Sequence, residues 1–190
     1  MKKLHGVRLA HHKNTENSAC VPLPLPKLVR IPMSMHIGAP CTPVVKPRET
    51  VQVGQKIGDT DAFMAVPIHS GVSGTVKAIS TYRMSNGRTC PMVEIETDGA
   101  QTVCPAVCPP VVTDKASFLQ AVRESGLVGM GGASFPAHVK LNPKQAVDTL
   151  VINAAECEPY ITSDYRQMVE APEEVLDGVC QVMHWLEIPK

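Results

Sequence analysis

The sequence predicts an α+β, multi-domain chain: an all-β N-terminal domain followed by part of an α/β domain. Three observations carry this. Between residues 28 and 99, short β-branched runs are punctuated by glycine and proline at about 8–12-residue spacing. Residues 113–125 and 172–186 instead place apolar side chains at helical intervals. Between those helical stretches lies one short apolar run, Leu150-Val151-Ile152, which breaks into a polar turn.

The bulk properties narrow the function. The 190 residues are 44% hydrophobic, and 18 basic side chains balance 18 acidic ones. Such a chain buries a sizeable core. A net charge of zero creates no broad positive field, so no nucleic acid partner is expected. No stretch nears the roughly 20 apolar residues of a membrane span. The basic opening, Met1 to Ala10, lacks the apolar centre of a signal peptide, so a cytoplasmic location is expected. Seven cysteines (20, 41, 90, 104, 108, 157 and 180) with no CxxC pair read as free thiols. Cys104-Pro-Ala-Val-Cys108 falls short of the four thiolates a cluster needs, so no metal site is expected in this chain.

In chain order, residues 1–27 hold the adjacent pair His11 and His12 and the run Val21-Pro22-Leu23-Pro24-Leu25-Pro26. Alternating prolines fix φ and remove donors, so this segment is an extended arm lying along a domain surface. Residues 28–99 form the β domain, through Val44–Pro47, Val51–Gly58, Met64–Val76 and Met92–Ile95, a small sandwich or barrel. His36 and His69 fall in its turns and read as structural. Residues 100–112 connect it to a second domain, 113–190.

The second domain opens with a helix through Phe118, Leu119, Ala121 and Val122, capped by Thr113 or Asp114 and closed by Gly126 at the C′ position. The run Leu150–Ile152 reads as a strand buried on both faces. A helix starts at Pro172, with Glu173 and Glu174 near its positive end and a stripe of Val175, Val179, Val182, Met183 and Leu186. One strand cannot make a sheet, so only the N-terminal portion of an α/β domain is expected here.

Two motifs carry chemistry. The first, Gly126 to Lys140, places Gly129, Gly131 and Gly132 just before Phe135, with Lys140 downstream. Without Cβ atoms, successive N–H groups can turn toward an anion or lie against a ring, and a lysine can complete a phosphate site. The alternative is a helix cap followed by a tight loop. It is neither a dinucleotide fingerprint, since Ser134 stands at the third glycine position, nor a P-loop, since no Gly-Lys-Ser/Thr follows. The second motif is the turn Asn153-Ala154-Ala155-Glu156-Cys157-Glu158-Pro159, placed where open α/β sheets bind ligands beyond a strand's carboxyl end. A helix-capping turn is the alternative for Glu156 and Glu158.

GMGGASFPAHVKL followed by NAAECEP resembles the flavin-binding core of RnfC, the C subunit of the Rnf electron-transport complex, which is related to the NADH-binding flavoprotein subunit of respiratory complex I. The earlier pattern VQVGQKIG…VPIHSGVSGTV is similar to the biotinyl/lipoyl carrier fold, a barrel-sandwich hybrid. Its tip, Asp59-Thr60-Asp61-Ala62-Phe63, lacks the lysine that carries a swinging arm. Ile31-Pro32-Met33-Ser34-Met35-His36-Ile37-Gly38-Ala39-Pro40 matches the family's approach to that domain. The resemblance implies a barrel-sandwich hybrid followed by a partial FMN-binding domain like that of the complex I flavoprotein.

It further implies FMN and NAD(H) as cofactors. Gly129, Gly131 and Gly132 would face the ribityl chain and phosphate, with Lys140 as a charge partner. Asn153, Glu156 and Cys157 would meet the isoalloxazine, and Phe135 and Glu158 would lie near the nicotinamide nucleotide. Relative to the complex I flavoprotein, Met130 replaces an arginine, Ser134 a glycine, Ala137 a threonine and Ala155 an aspartate. By the same resemblance, 4Fe-4S clusters would be expected only in a C-terminal portion beyond these residues. The implied role is an oxidoreductase component of an ion-translocating complex, moving electrons between NAD(H) and iron–sulfur carriers. Its partners would be ferredoxin-type proteins and the other Rnf components, and its place peripheral, on the inner face of the cell membrane. This portion alone is expected to be inactive. A component of a soluble RnfC-like reductase, or a non-catalytic docking module built on the lysine-less barrel, are the alternatives.

Overall fold

The β-branched runs form seven strands in the computed structural model, which describes residues 6, 9–130 and 132–190. They are β1 (Leu28–Pro32), β2 (Thr42–Pro43), β3 (Thr50–Val51), β4 (Lys56–Asp59), β5 (Ile68–His69), β6 (Gly74–Arg83) and β7 (Thr89–Thr97). One sheet runs β1-β7-β6-β3 and the other β2-β4-β5, with every pairing between these strands antiparallel. The β6–β7 hairpin pairs Gly74 with Thr97 through to Arg83 with Thr89, and a bulge between Val76 and Ala78 bends it. The expected strand Val44–Pro47 lies two residues earlier, at Thr42–Pro43. Pro47 has no N–H to offer a ladder, although Val45 still reaches the core at 5% exposure.

Alternation along the strands sends Ile31, Val51, Ile57, Ile68, Val76, Val93 and Ile95 inward, joined by Met33, Cys41, Val45 and Val72. His36 is also buried. Its Nε2 accepts from the Val66 amide at 3.3 Å, and the Cys41 thiol donates to the Val66 carbonyl at 3.2 Å. Burial pushes that thiol up to about 11, so Cys41 is a core side chain rather than a nucleophile.

The helices are α1 (Lys115–Glu124), α2 (Ala137–Lys140), α3 (Ser163–Glu170) and α4 (Pro172–Trp185). Asp114 caps α1, accepting from the Ser117 amide at 2.7 Å, and Phe118 and Val122 bury its apolar face. Helix α4 begins at Pro172 as its sequence predicts, and its stripe Val175, Val179, Val182, Met183 and Leu186 is half-buried.

The chain divides into two compact units. One holds the described residues up to Leu23 together with Val147–Lys190, and the other is Pro24–Ala146. The second unit therefore contains the β domain, α1, the glycine loop and α2. Within it, Thr102–Cys104 lies against Val53, whose amide donates to Thr102 at 2.9 Å and whose carbonyl accepts from Cys104 at 2.8 Å.

The expected strand at Leu150–Ile152 does not form. Val151 is 79% exposed and Ile152 51%, and the one backbone hydrogen bond of the run among the described residues goes from Leu150 to the Lys190 carbonyl at 2.7 Å. A strand buried on both faces needs neighbours to take its N–H and C=O groups, and no described segment supplies them.

Candidate functional site

In the unit Pro24–Ala146, the glycine loop begins where α1 stops. Gly126, at φ +72°, donates to the Arg123 carbonyl at 2.9 Å, and Leu127 reaches back to the Val122 carbonyl at 3.4 Å. This pair of bonds is the Schellman closure that a C′ glycine allows. The chain then folds on itself. Val128 and Pro136 form an antiparallel bridge, Gly129 donates to the Phe135 carbonyl at 2.8 Å, and Ala137 donates to Leu127 at 3.0 Å. The Ser134 carbonyl accepts from the Ile37 amide at 3.3 Å, fastening the loop to the approach segment of the barrel.

At the loop's end, Gly132 adopts φ +154° and Ser134 φ +50°. The amides of Gly132, Ala133 and Ser134 have no hydrogen-bond partner among the described residues. Met130 is 92% exposed, and Phe135 is partly open to solvent. The ammonium of Lys140, exposed in the last turn of α2, makes no hydrogen bond or ion pair among the described residues. Gly131 lies outside the described residues. The Gly129 amide is spent on the loop's own closure, so it stabilises the loop rather than offering a donor.

Four charges hold α1, and with it the loop, against the barrel. Lys56 reaches Asp59 and Glu124, each at 2.7 Å. Arg123 reaches Asp59 at 3.0 Å and the Thr60 carbonyl at 2.8 Å, and pairs with Glu124. Partial burial alone would raise the Asp59 carboxyl, but hydrogen bonds from Lys56, the Thr60 amide and Arg123 hold it below its ordinary value. Glu124 is likewise lowered: burial opposes ionisation and is outweighed by the hydrogen bonds from Lys56 and Arg123. Burial lowers His69 and His138. The His138 Nε2 lies 3.3 Å from the Phe63 carbonyl, while its buried Nδ1 has no partner among the described residues. A pocket of about 420 Å³, lined in part by His36, Pro67, His69, Gly126 and Val128, lies between the barrel and the base of the loop.

In the other unit, the second motif is an ordered turn. The Asn153 side chain accepts from the Ala155 amide at 3.0 Å. Glu156 uses both carboxylate oxygens on α3, accepting from the Ser163 hydroxyl at 3.2 Å and the Asp164 amide at 3.0 Å. Cys157 is an exposed free thiol, and the Glu158 carbonyl accepts from the Lys13 ammonium at 3.2 Å. The capping alternative for Glu156 is thus what its side chain does. For Glu158, the contact runs through the backbone.

The local sequence pattern singles out the glycines, Phe135, Lys140 and the acidic turn. It passes over Lys13 and the charge quartet, because nothing local links residue 13 to 158 or residue 56 to 124. His138 lies inside the glycine motif, and only its burial distinguishes it.

Comparison with known proteins finds two matches, whose bounds cut across the two compact units. Residues 2–100 match the RnfC barrel sandwich hybrid domain, and residues 122–190 match the Nuo51 FMN-binding domain. The C subunit of the Na(+)-translocating ferredoxin:NAD(+) oxidoreductase complex of Acetobacterium woodii is 42% identical, over 92% of this chain and 41% of its own length. The proton-translocating counterpart of Clostridium ljungdahlii is 40% identical, over 94% of this chain and 40% of its own. The C subunit of the ion-translocating oxidoreductase complex of Rhodobacter capsulatus is 37% identical, over 92% of this chain and 35% of its own. The chain therefore spans about two fifths of the length of the relatives it matches.

Proposed function

Because this chain belongs to the RnfC family, whose barrel sandwich hybrid domain it matches over more than half its length, we propose that it is the flavin-side portion of an RnfC-type electron-transfer protein. The observation that carries this reading is the match of residues 122–190 to an FMN-binding domain, which spans both the glycine loop and the acidic turn. The loop fits a phosphate-bearing group: three successive amides, those of Gly132, Ala133 and Ser134, and the Lys140 ammonium are unpartnered among the described residues.

In this proposal Gly131, Gly132 and Lys140 hold the phosphate and ribityl end of FMN, with Gly129 closing the loop beneath them. Asn153, Glu156 and Cys157 form the turn that meets the ring, and Phe135 and Glu158 lie toward the nicotinamide of NAD(H). Bound flavin supplies the change from two-electron to one-electron chemistry. The protein's own residues bind it, orient it and set its surroundings. The larger assignments rest on the relatives' names for ferredoxin, NAD(+) and a complex, and on the motif resemblance for the clusters and the location. They are electron flow between NAD(H) and ferredoxin-type carriers through 4Fe-4S clusters, association with the other Rnf components, and a peripheral place on the inner face of the membrane. No helix among the described residues is long and apolar enough to cross a membrane. The domain division proposed is 28–99 for the barrel and 113–190 for the flavin side, joined by 100–112.

A visible absorption titration of the 190-residue chain with FMN, then NADH, tests the reading. A flavin band of defined stoichiometry supports it, and bleaching by NADH extends it to the nicotinamide site. A second reading, a docking module, is favoured by the internal bond of the Gly129 amide and by the full engagement of Glu156. It predicts a colourless protein with no response to either nucleotide, both here and in a longer chain.

A further inference from the structure

The N-terminal arm runs along the end of the acidic turn and then along α3. His12 packs its ring 5.9 Å from that of Tyr160. The Lys13 ammonium donates to the carbonyls of Glu158 at 3.2 Å and Ile161 at 2.6 Å. Thr15 and Thr162 share a hydroxyl hydrogen bond of 2.6 Å, Arg166 donates to the Glu16 carbonyl at 3.1 Å, and the Cys20 amide donates to Glu170 at 2.9 Å. These polar partners are 145 to 150 residues apart in the chain. Closing so long a loop must be offset by several contacts acting together.

We propose that this arm is a strap that sets the conformation of the Asn153–Ile161 turn, and that Lys13 is its positioning residue. The placement of Lys13 is the key. Ile161 immediately precedes Thr162, the N-cap of α3, so the ammonium sits at the positive end of a helix dipole. A cation there works against α3. What it serves is the turn, where two carbonyls would otherwise face water. With those carbonyls drawn to Lys13, the amides of Glu156, Cys157 and Glu158 have no hydrogen-bond partner among the described residues. The strap thus determines which backbone groups of the turn stay free. This inference rests on the flavin reading of that turn and adds the residue that shapes it.

The test uses the whole 190-residue chain with K13M, which keeps the stem and loses the donors, and K13R, which keeps a cationic donor. Amide hydrogen exchange reads the strap without any ligand. K13M should speed exchange across residues 156–170 by about tenfold and leave β6 and β7 unchanged. K13R should stay within about threefold of the parent chain. FMN titration reads the consequence: K13M should bind about tenfold more weakly while the melting midpoint of the barrel holds, and K13R should restore affinity. Unchanged exchange in K13M overturns the strap. Faster exchange with parental FMN affinity overturns its role in positioning. If the parent chain binds no FMN, the flavin reading fails for this chain, and exchange alone decides the strap.

Discussion

Replacing Gly126 by alanine tests the joint between α1 and the glycine loop. At φ +72°, a residue with a Cβ gives up about 1–2 kcal/mol of backbone energy. The added methyl would also stand 2.8 Å from the Pro67 carbonyl oxygen and 3.1 Å from Nδ1 of His69. Neither neighbour is the end of a flexible chain, so barrel and loop must part, at a further cost of about 1–3 kcal/mol. The total, about 2–5 kcal/mol, is a large share of the roughly 5–15 kcal/mol that holds an ordinary domain folded. Urea unfolding followed by circular dichroism measures it. The one tryptophan, Trp185, belongs to the other unit and should report that unit's transition little changed. Gly71→Ala is the control, because nothing lies within 4 Å of the methyl it would add. A G126A loss below about 0.5 kcal/mol, no larger than that of G71A, would refute the reasoning.

Two further outcomes follow from the charge quartet. Arg123→Met removes a half-buried guanidinium with three acceptors and should cost about 2 kcal/mol in urea unfolding. A double-mutant cycle with Asp59→Asn should return a coupling of about 1 kcal/mol, and a coupling near zero would mean the pair is merely adjacent. The same network makes this unit sensitive to acid. Asp59 and Glu124 are held low in the folded chain, so the unfolded chain binds more protons in the window below their ordinary values near 4. Their contribution is fully present above that window and is lost as pH falls through the lowered values. Melting midpoints between about pH 6 and pH 2 should therefore drop less steeply in Lys56→Met/Arg123→Met than in the parent chain, and parallel curves would contradict the assignment.

The β domain was legible because its information is local: period-two alternation and turn glycines specify strands wherever one face is buried. Helix α1 was legible for the same reason, with its cap at Asp114 and its stop at Gly126 both written beside it. The run Leu150–Ile152 misled because β-branched apolar residues report what a segment suits, and a strand exists only if neighbours complete its hydrogen bonds. Helix α3 was passed over because it is short and polar, and its N-cap side chain does not cap it. The Lys13 and Lys56 contacts join residues far apart in sequence, and no local pattern encodes such pairs.

Glu156 is where the two readings of the acidic turn meet. Thr162 stands at the N-cap of α3, yet its hydroxyl is bonded to Thr15 and makes no capping bond. Glu156 takes over that duty from outside the helix, and its charge suits the positive helix end. With both oxygens engaged, its contribution to a flavin contact must come through the shape of the turn. Two variants separate shape from charge. In E156Q the amide oxygen can accept from Asp164 while its nitrogen donates to the Ser163 hydroxyl, so the cap survives without the charge. In E156A both bonds are lost, at about 1 kcal/mol. The α3 amides should exchange within about threefold of the parent chain in E156Q and about fivefold faster in E156A. FMN affinity should follow the same order, close to parental in E156Q and weakened in E156A. If E156Q loses FMN while α3 stays protected, the carboxylate touches the flavin itself, and the assignment of Glu156 to the turn's architecture is wrong.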